Sequence, residues 1–387
     1  MLPPIANKHS LVNIIYAINQ SYGGDCYKKI NNYFNYKKLY YYKSGTQSLF
    51  EIIKSLKQIT NRNRVIVQSY TCFSVAKVLE ESNLDIVILD TNPVTLDYNY
   101  EELESIVDEK TLCVIATHLF GASANLKRIK KITEKYGAYI IEDAAQKQPD
   151  LLKETSIADA TIYSFGRGKP ISLMGGSILG INNTEINKAL QTVEKKSILV
   201  GNYGLNTIFK MVIADIFTNP LLYALPAWLP FLRVGETIYP EKIENGKMDK
   251  IQICFLEKRL FELNYILQKR YAIAQEYTNT LKKYSKQILL EHTKKEEYSP
   301  SRYPFYMKEE RSMLSRNKRL HLQQYGIVFM YPMGINNLPQ LKNKIIKNTS
   351  KYEGSDYIAN HLVTAPTHCY ICSRNLHKVL EILRNIV

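Results

Sequence analysis

The sequence predicts an α/β fold: a mostly parallel central sheet sandwiched by helices, with a smaller C-terminal α/β domain. Three observations predict it. From about residue 45 to 180, short apolar runs alternate with amphipathic stretches, the pattern of βα units whose sheet is covered on both faces. Two of those runs end in small or acidic polar residues, and a glycine-bearing loop follows. After residue 250 the pattern changes to one long helical period and then a short α/β mixture. We therefore expect a large domain over 1–250 and a small one over 251–387, the long connecting helix included.

The elements follow in order. Ser44-Gly45-Thr46-Gln47 opens a helix with Leu49, Ile52, Ile53 and Leu56 on one face. Val65-Ile66-Val67 reads as a strand, followed by a helix over 74–82. Ile86-Val87-Ile88-Leu89 is the next strand and a helix over 100–107 follows. Leu112-Cys113-Val114-Ile115-Ala116 leads to a helix over 126–136, then to the strand that closes on Glu142. Met248 to Lys282 carries Ile251, Phe255, Leu256, Leu260, Leu263 and Leu267 near the helical period. Beyond it we expect a strand near Gly326-Ile327-Val328 and a final helix from Ser373. In parallel sheets ligands gather at the carboxyl ends of strands. Ser69, His118, Asp143 and Ser164 all fall there, on one rim.

Residues 205–233 break the alternation. Leu205 to Leu232 holds only Lys210 and Asp215 as charged residues, with Pro220, Pro226 and Pro230 between. Its uncharged part falls short of the ~20 residues a spanning helix needs. A buried hairpin or dimer element is the plain reading. Trp228, Leu229 and Phe231 also suit a lipid-interface anchor, hence a peripheral membrane contact, or the wall of an apolar substrate site.

The chain has 387 residues, 51 Lys and Arg against 36 Asp and Glu, and a formal charge of +15. The lysines are scattered, so no nucleic-acid partner is expected; the charge fits anionic small molecules better. No basic stretch and long apolar run follow Met1-Leu2-Pro3-Pro4, so a cytoplasmic location and reduced thiols are expected for the six cysteines. Cys369-Tyr370-Ile371-Cys372 has ligand spacing but no second pair, and no metal centre is expected.

The chemistry lies in Glu142-Asp143-Ala144-Ala145-Gln146 and Ser164-Phe165-Gly166-Arg167-Gly168-Lys169. Singly, Asp143 reads as a helix cap, Lys169 as a surface lysine and Ser44 as an ordinary N-cap. Together they suit pyridoxal 5′-phosphate (PLP), which needs a carboxylate at its ring nitrogen, a hydroxyl on its phosphate and a lysine amine at its aldehyde. Asp143 would pair with the ring nitrogen and Gln146 with the phenolic oxygen. Lys169 is the catalytic amine. Gly45, Thr46 and Ser164 would hold the phosphate at a helix start, where free N–H groups and the helix dipole favour an anion.

These residues resemble the DegT/DnrJ/StrS family of PLP-dependent sugar aminotransferases, of the aspartate aminotransferase fold (fold type I). The landmarks run in family order: Ser44-Gly45-Thr46, Val67-Gln68-Ser69-Tyr70-Thr71, Asp90, His118-Leu119-Phe120-Gly121, Glu142 to Gln146, Ser164-Phe165 with Lys169, and Gly175-Gly176. Asn245-Gly246-Lys247-Met248 and Ala365-Pro366-Thr367-His368 complete them. The resemblance implies a homodimer in which Asn245 reaches the partner subunit's cofactor phosphate. It also implies amino transfer from L-glutamate to a keto sugar, most commonly nucleotide-linked. His118 and Arg302 are the candidate substrate contacts.

Three departures stand out. The family usually places an aromatic residue directly after the threonine of the Ser69-Tyr70-Thr71 run, stacked on the cofactor ring, and this chain has Cys72. Stacking then falls to Phe73 or Tyr70. No acid precedes Gly175-Gly176, and Lys247 replaces an arginine, which loses bidentate geometry. The acceptor is left open: a non-nucleotide or lipid-linked acceptor, or a non-catalytic PLP-binding regulatory protein, are the alternatives.

Overall fold

The structure is a computed structural model that describes residues 1–147, 149, 156–196, 204–225, 237–284, 290–294, 298–346 and 351–387. Helices α1 (Leu11–Gly23) and α2 (Cys26–Asn31) precede the first strand, β1 (Lys38–Tyr42). Then come α3 (Gly45–Ile59), β2 (Arg64–Gln68), α4 (Phe73–Glu81), β3 (Asp85–Leu89), α5 (Tyr100–Ile106), β4 (Thr111–Thr117), α6 (Leu126–Thr133) and β5 (Tyr139–Asp143). Strands β6 (Ala160–Ser164) and β7 (Ser177–Ile181) complete a seven-stranded sheet in the order β1-β7-β6-β5-β4-β2-β3. Strands β3, β2, β4, β5 and β6 run parallel, and β7 is antiparallel to both β6 and β1.

Side chains alternate across a strand, so one run of apolar residues feeds two cores. Val65, Val67, Ile86, Ile88, Cys113 and Ile115 pack under Leu49, Ile52 and Leu56 of α3 and Val75 and Leu79 of α4. Ile66, Val87, Leu89, Val114 and Ala116 face the other way, onto Leu103 of α5 and Ile129 and Ile132 of α6. All seven residues of β4 are buried, as a central strand covered on both faces requires. The expected elements over 45–143 are all present, within two or three residues of their expected bounds.

The long helix expected over 248–282 is two helices, Lys250–Phe261 and Leu263–Leu281, which meet at Glu262. Arg259 donates to the Glu262 carboxylate, as does Asn13 of α1. The first helix buries Ile253, Phe255, Leu256 and Leu260 with Ile14 and Ala17 of α1 and Ile30 of α2. The second buries Ala274, Tyr277 and Leu281 with the small sheet, β8 (Arg302–Tyr306), β9 (Val328–Phe329) and β10 (Leu362–Pro366). The cluster that holds Ile14 and Phe255 extends to Leu263, while Leu2, at the chain start, packs in the core around the small sheet.

Two further expectations change. Cys26 and Cys254, both fully buried where α2 meets the helix Lys250–Phe261, form a disulfide with Cα atoms 5.1 Å apart. Six reduced thiols were expected; the remaining four are free. The apolar segment is not a buried hairpin in its described part. After α7 (Thr184–Lys196) it forms helix α8 (Gly204–Thr218), which buries Met211 and leaves Phe209, Ile216 and Phe217 exposed; Leu221, Leu222 and Leu225 beyond it are exposed too. Trp228, Leu229 and Phe231 lie outside the described residues. Among the described residues no helix is long and apolar enough to cross a membrane.

Candidate active site

Parallel pairing of β4, β5 and β6 sets Thr117, Asp143 and Ser164 at one rim, Thr117 being the register partner of Asp143. One Asp143 carboxylate oxygen accepts from the Ala145 N–H at 3.0 Å. The carboxylate is half-buried, and its second oxygen has no hydrogen-bond partner among the described residues.

Gly45 begins α3 directly against β6. A Cβ at Gly45 would lie 3.2 Å from Ser164 Cβ and 3.3 Å from its hydroxyl. A side chain here would make Ser164 give way by a few tenths of an ångström. Ser44 caps the helix by accepting from the Gln47 N–H at 3.2 Å, which leaves the first N–H groups, at Gly45 and Thr46, free at the Ser164 hydroxyl. This is a cradle for a phosphate-sized anion. Asn245 lies beside it: its carboxamide oxygen accepts from Gln47 Nε2 at 2.7 Å within the same chain.

Lys169 leaves a tight turn. Its N–H donates to the Gly166 carbonyl at 3.2 Å, and Gly168 between them has φ +86°, a left-handed conformation that favours glycine. Asn7 donates to the Lys169 carbonyl at 3.4 Å. The guanidinium of Arg302, at the start of β8, flanks Gly168 at 3.9 Å from its virtual Cβ. Burial pulls the Arg302 guanidinium down to about 10. The charged or titratable groups acting on it are Tyr223, Tyr331 and Arg167, none of them a carboxylate. It contacts Met330 Sδ at 3.0 Å, a weak acceptor. A half-buried cation thus flanks the lysine loop with no carboxylate partner among the described residues.

His118 is corrected. It is fully buried and both ring nitrogens are engaged within the protein. Its Nδ1 accepts from the Ala124 N–H at 2.9 Å, so Nε2 carries the hydrogen and donates to Glu142 at 2.6 Å. Burial alone would raise the Glu142 carboxyl. The bonds from His118 and Ser156 and the Lys147 charge outweigh it and hold the group near 2. The His118 N–H also donates to the Asp143 carbonyl at 3.0 Å. The ring therefore braces the strand that carries Asp143 and has no nitrogen left for a substrate.

Gln146 is fixed from two sides. Its Oε1 accepts from the Phe120 N–H at 2.9 Å, which can only donate, so its Nε2 faces the Tyr331 hydroxyl, also at 2.9 Å. Tyr331 was not among the candidates. It lies just past β9 in the small unit, is 4% exposed, and stands against Cys72 and Asp143. Its ring stacks on Phe73, centroids 6.3 Å apart, and tilts on Tyr70 at 5.3 Å. The one signal for it in the sequence is an aromatic residue right after a strand end.

These residues fit PLP. Asp143 has a carboxylate oxygen with no partner among the described residues, the start of α3 and Ser164 form a close-fitting anion cradle, and Lys169 follows in the turn beyond Ser164. The hydroxyl of Thr71, buried beside Cys72, has no partner among the described residues. A buried donor of this kind is costly unless a bound group satisfies it.

A profile of the DegT/DnrJ/EryC1/StrS aminotransferase family matches residues 27–384. The chain belongs to that family. Among solved structures it is similar to PseC of Helicobacter pylori, an aminotransferase involved in the biosynthesis of pseudoaminic acid (15% identity, TM-score 0.73, covering 100% of this chain and 98% of that one). It is likewise similar to an aminotransferase from Psychrobacter cryohalolentis (14%, TM-score 0.74, 99% and 100%). A third likeness is to the GDP-4-keto-6-deoxy-D-mannose-3-dehydratase of E. coli, solved with bound hydrated PLP (13%, TM-score 0.73, 99% of each). These likenesses show the fold, a mostly parallel α/β sheet of the fold-type I kind. Among curated proteins, one from Methanocaldococcus jannaschii is 29% identical over 136 residues, and a pleiotropic regulatory protein of Geobacillus stearothermophilus is 28% identical over 135. Those matches span 35% and 36% of the relatives' own lengths.

Proposed function

We propose that this family member is a PLP-dependent aminotransferase that moves an amino group from L-glutamate to a keto sugar carried on a nucleotide. The observation that carries the reading is the meeting of Asp143, the Gly45–Ser164 cradle and the Lys169 turn on one rim of the sheet. The chemistry that bound PLP supplies is an aldehyde that takes up amines and a pyridine ring that accepts electrons.

The chain's own residues do the rest. Asp143 holds a proton on the ring nitrogen, which keeps the ring electron-poor. The N–H groups of Gly45 and Thr46 and the Ser164 hydroxyl bind the phosphate, and Asn245 of a second copy completes that cup in the homodimer. Gln146 gives its second Nε2 hydrogen to the phenolic oxygen. Arg302 pairs with a carboxylate of the amino donor and so aligns it on Lys169. The Lys169 amine would take the donor's Cα proton and return it on the far side of the transferred nitrogen, which stays with the cofactor until the acceptor binds. Glutamate leaves as 2-oxoglutarate, and the same steps in reverse deliver the nitrogen to the sugar carbonyl.

The neighbours' sugars support this acceptor class: PseC serves pseudoaminic acid, and DesI was solved with its TDP-sugar product. We place the enzyme in the cytoplasm, with the Cys26–Cys254 pair in the core and shielded from reductants. The exposed apolar residues of α8 favour one other acceptor, a lipid-linked or otherwise non-nucleotide sugar at a membrane surface. The relative named as a pleiotropic regulatory protein favours a non-catalytic role. The test is amine transfer from 15N-L-glutamate to UDP- and dTDP-keto sugars, read by mass spectrometry. Labelled amino sugar made by the enzyme supports the proposal. Half-transfer from glutamate with no nucleotide acceptor turned over points to the lipid-linked class, and no half-transfer at all to regulation.

A further inference from the structure

The cofactor site is short of one wall. An aromatic cofactor ring binds best against a flat apolar face, and at the end of β2 this chain offers Cys72, whose side chain is too small to be one. The space beside that thiol is filled from the small unit. Tyr331, 4% exposed, packs with Tyr70, Leu119 and Phe120 in one cluster, and Cys72 and Met330 line it. Phe73, the next residue after Cys72, is already covered: its ring meets Tyr331 on one side and Tyr239 on another, each with centroids 6.3 Å apart.

Tyr331 is held for a purpose beyond filling volume. Gln146 donates to its oxygen at 2.9 Å, and Gln146 is itself pinned by the Phe120 N–H. Burial first, then Cys72, Tyr70 and the Asp143 carboxylate, keep the phenol well above its usual range. It stays protonated, and its hydroxyl is hydrogen-bonded with Cys72. The ring also lies within the field of Asp143, the residue that faces the cofactor nitrogen.

We propose that Tyr331 is the aromatic wall of the cofactor pocket, supplied across the unit boundary in place of the side chain that position 72 lacks. Gln146 is its positioning residue. The inference rests on the PLP reading, and its test separates the two. Apo-enzyme is titrated with PLP, and the dissociation constant is measured by equilibrium dialysis and by growth of the cofactor absorbance band, without substrate. If the wild-type chain takes up no PLP, the PLP reading fails and this inference with it.

Given wild-type binding, Tyr331→Leu is expected to weaken PLP at least tenfold, and Tyr331→Phe to stay within threefold. Tyr331→Met serves as a second variant without a ring should the leucine variant not fold, folding being checked by circular dichroism. The double variant Cys72→Tyr with Tyr331→Leu returns a ring from the other side and is expected to recover most of the affinity. Ring-free variants that bind PLP within twofold of wild type overturn the proposal. A phenylalanine variant as weak as the leucine variant also overturns it, since the hydroxyl and not the ring would then matter.

Discussion

Arg302 is half-buried, has no carboxylate partner among the described residues, and flanks the turn that presents Lys169. A buried cation left unpaired is costly, and a substrate carboxylate would repay that cost. Removing the charge with Arg302→Met should raise KM for L-glutamate roughly 10- to 100-fold, the worth of one charge-assisted hydrogen bond of about 1.5–3 kcal/mol. Arg302→Lys keeps the charge but not the fork and should recover only part of it. Steady-state kinetics at fixed acceptor decides this, and an unchanged KM would remove Arg302 from the donor site. At this scale the sequence was readable wherever chemistry and position coincide. The placement of Asp143, Ser164 and the Lys169 turn on one rim was legible as polar residues just past apolar runs. His118 was misplaced for the same reason: a strand-end histidine looks alike whether it faces a substrate or, as here, a buried glutamate. Tyr331 was missed because its meaning depends on Gln146, 185 residues away.

Each βα unit of the large sheet was legible because its apolar run feeds both faces, as Val65 and Ile66 do for opposite cores. The long helix was not, because its apolar period continues through Glu262 while the partner core changes from α1 to the small sheet. The start of α3 shows how an element's placement becomes chemistry. Gly45→Ala would improve helix propensity by up to ~1 kcal/mol, but the new Cβ would press on Ser164 at 3.2 Å. We expect little net change in thermal stability and a PLP dissociation constant raised about tenfold, near 1.4 kcal/mol. Thermal melts with PLP titration check both. An alanine variant that binds PLP like wild type would mean the cradle lies elsewhere.

Across the whole molecule, the chain ends are tied together at the small unit. His368, just past β10, donates from Nε2 to the Pro3 carbonyl at 2.8 Å and accepts from the Tyr370 N–H at 3.3 Å. Burial, helped by the charges of Arg270 and Arg302, holds its imidazole down to about 4 against an ordinary 6.5, although the Pro3 bond acts the other way. The unfolded chain therefore takes up this proton between pH 6.5 and 4, and the folded chain does not. Stability from this group is complete above about pH 6.5 and falls toward pH 4, by up to ~1.4 kcal/mol per pH unit. Urea denaturation at pH 7, 5.5 and 4.5 should show that slope, and His368→Gln should flatten it. An equal slope in the variant would assign the loss to other groups.

The central claim is that Lys169 and Asp143 serve a pyridoxal phosphate site. The most direct test is the absorbance spectrum of the purified protein incubated with PLP, before and after L-glutamate. The account predicts a band at roughly 410–430 nm that L-glutamate bleaches and that Lys169→Ala abolishes while the fold is kept. A wild-type protein without such a band, or a Lys169→Ala variant that retains it, would contradict the account.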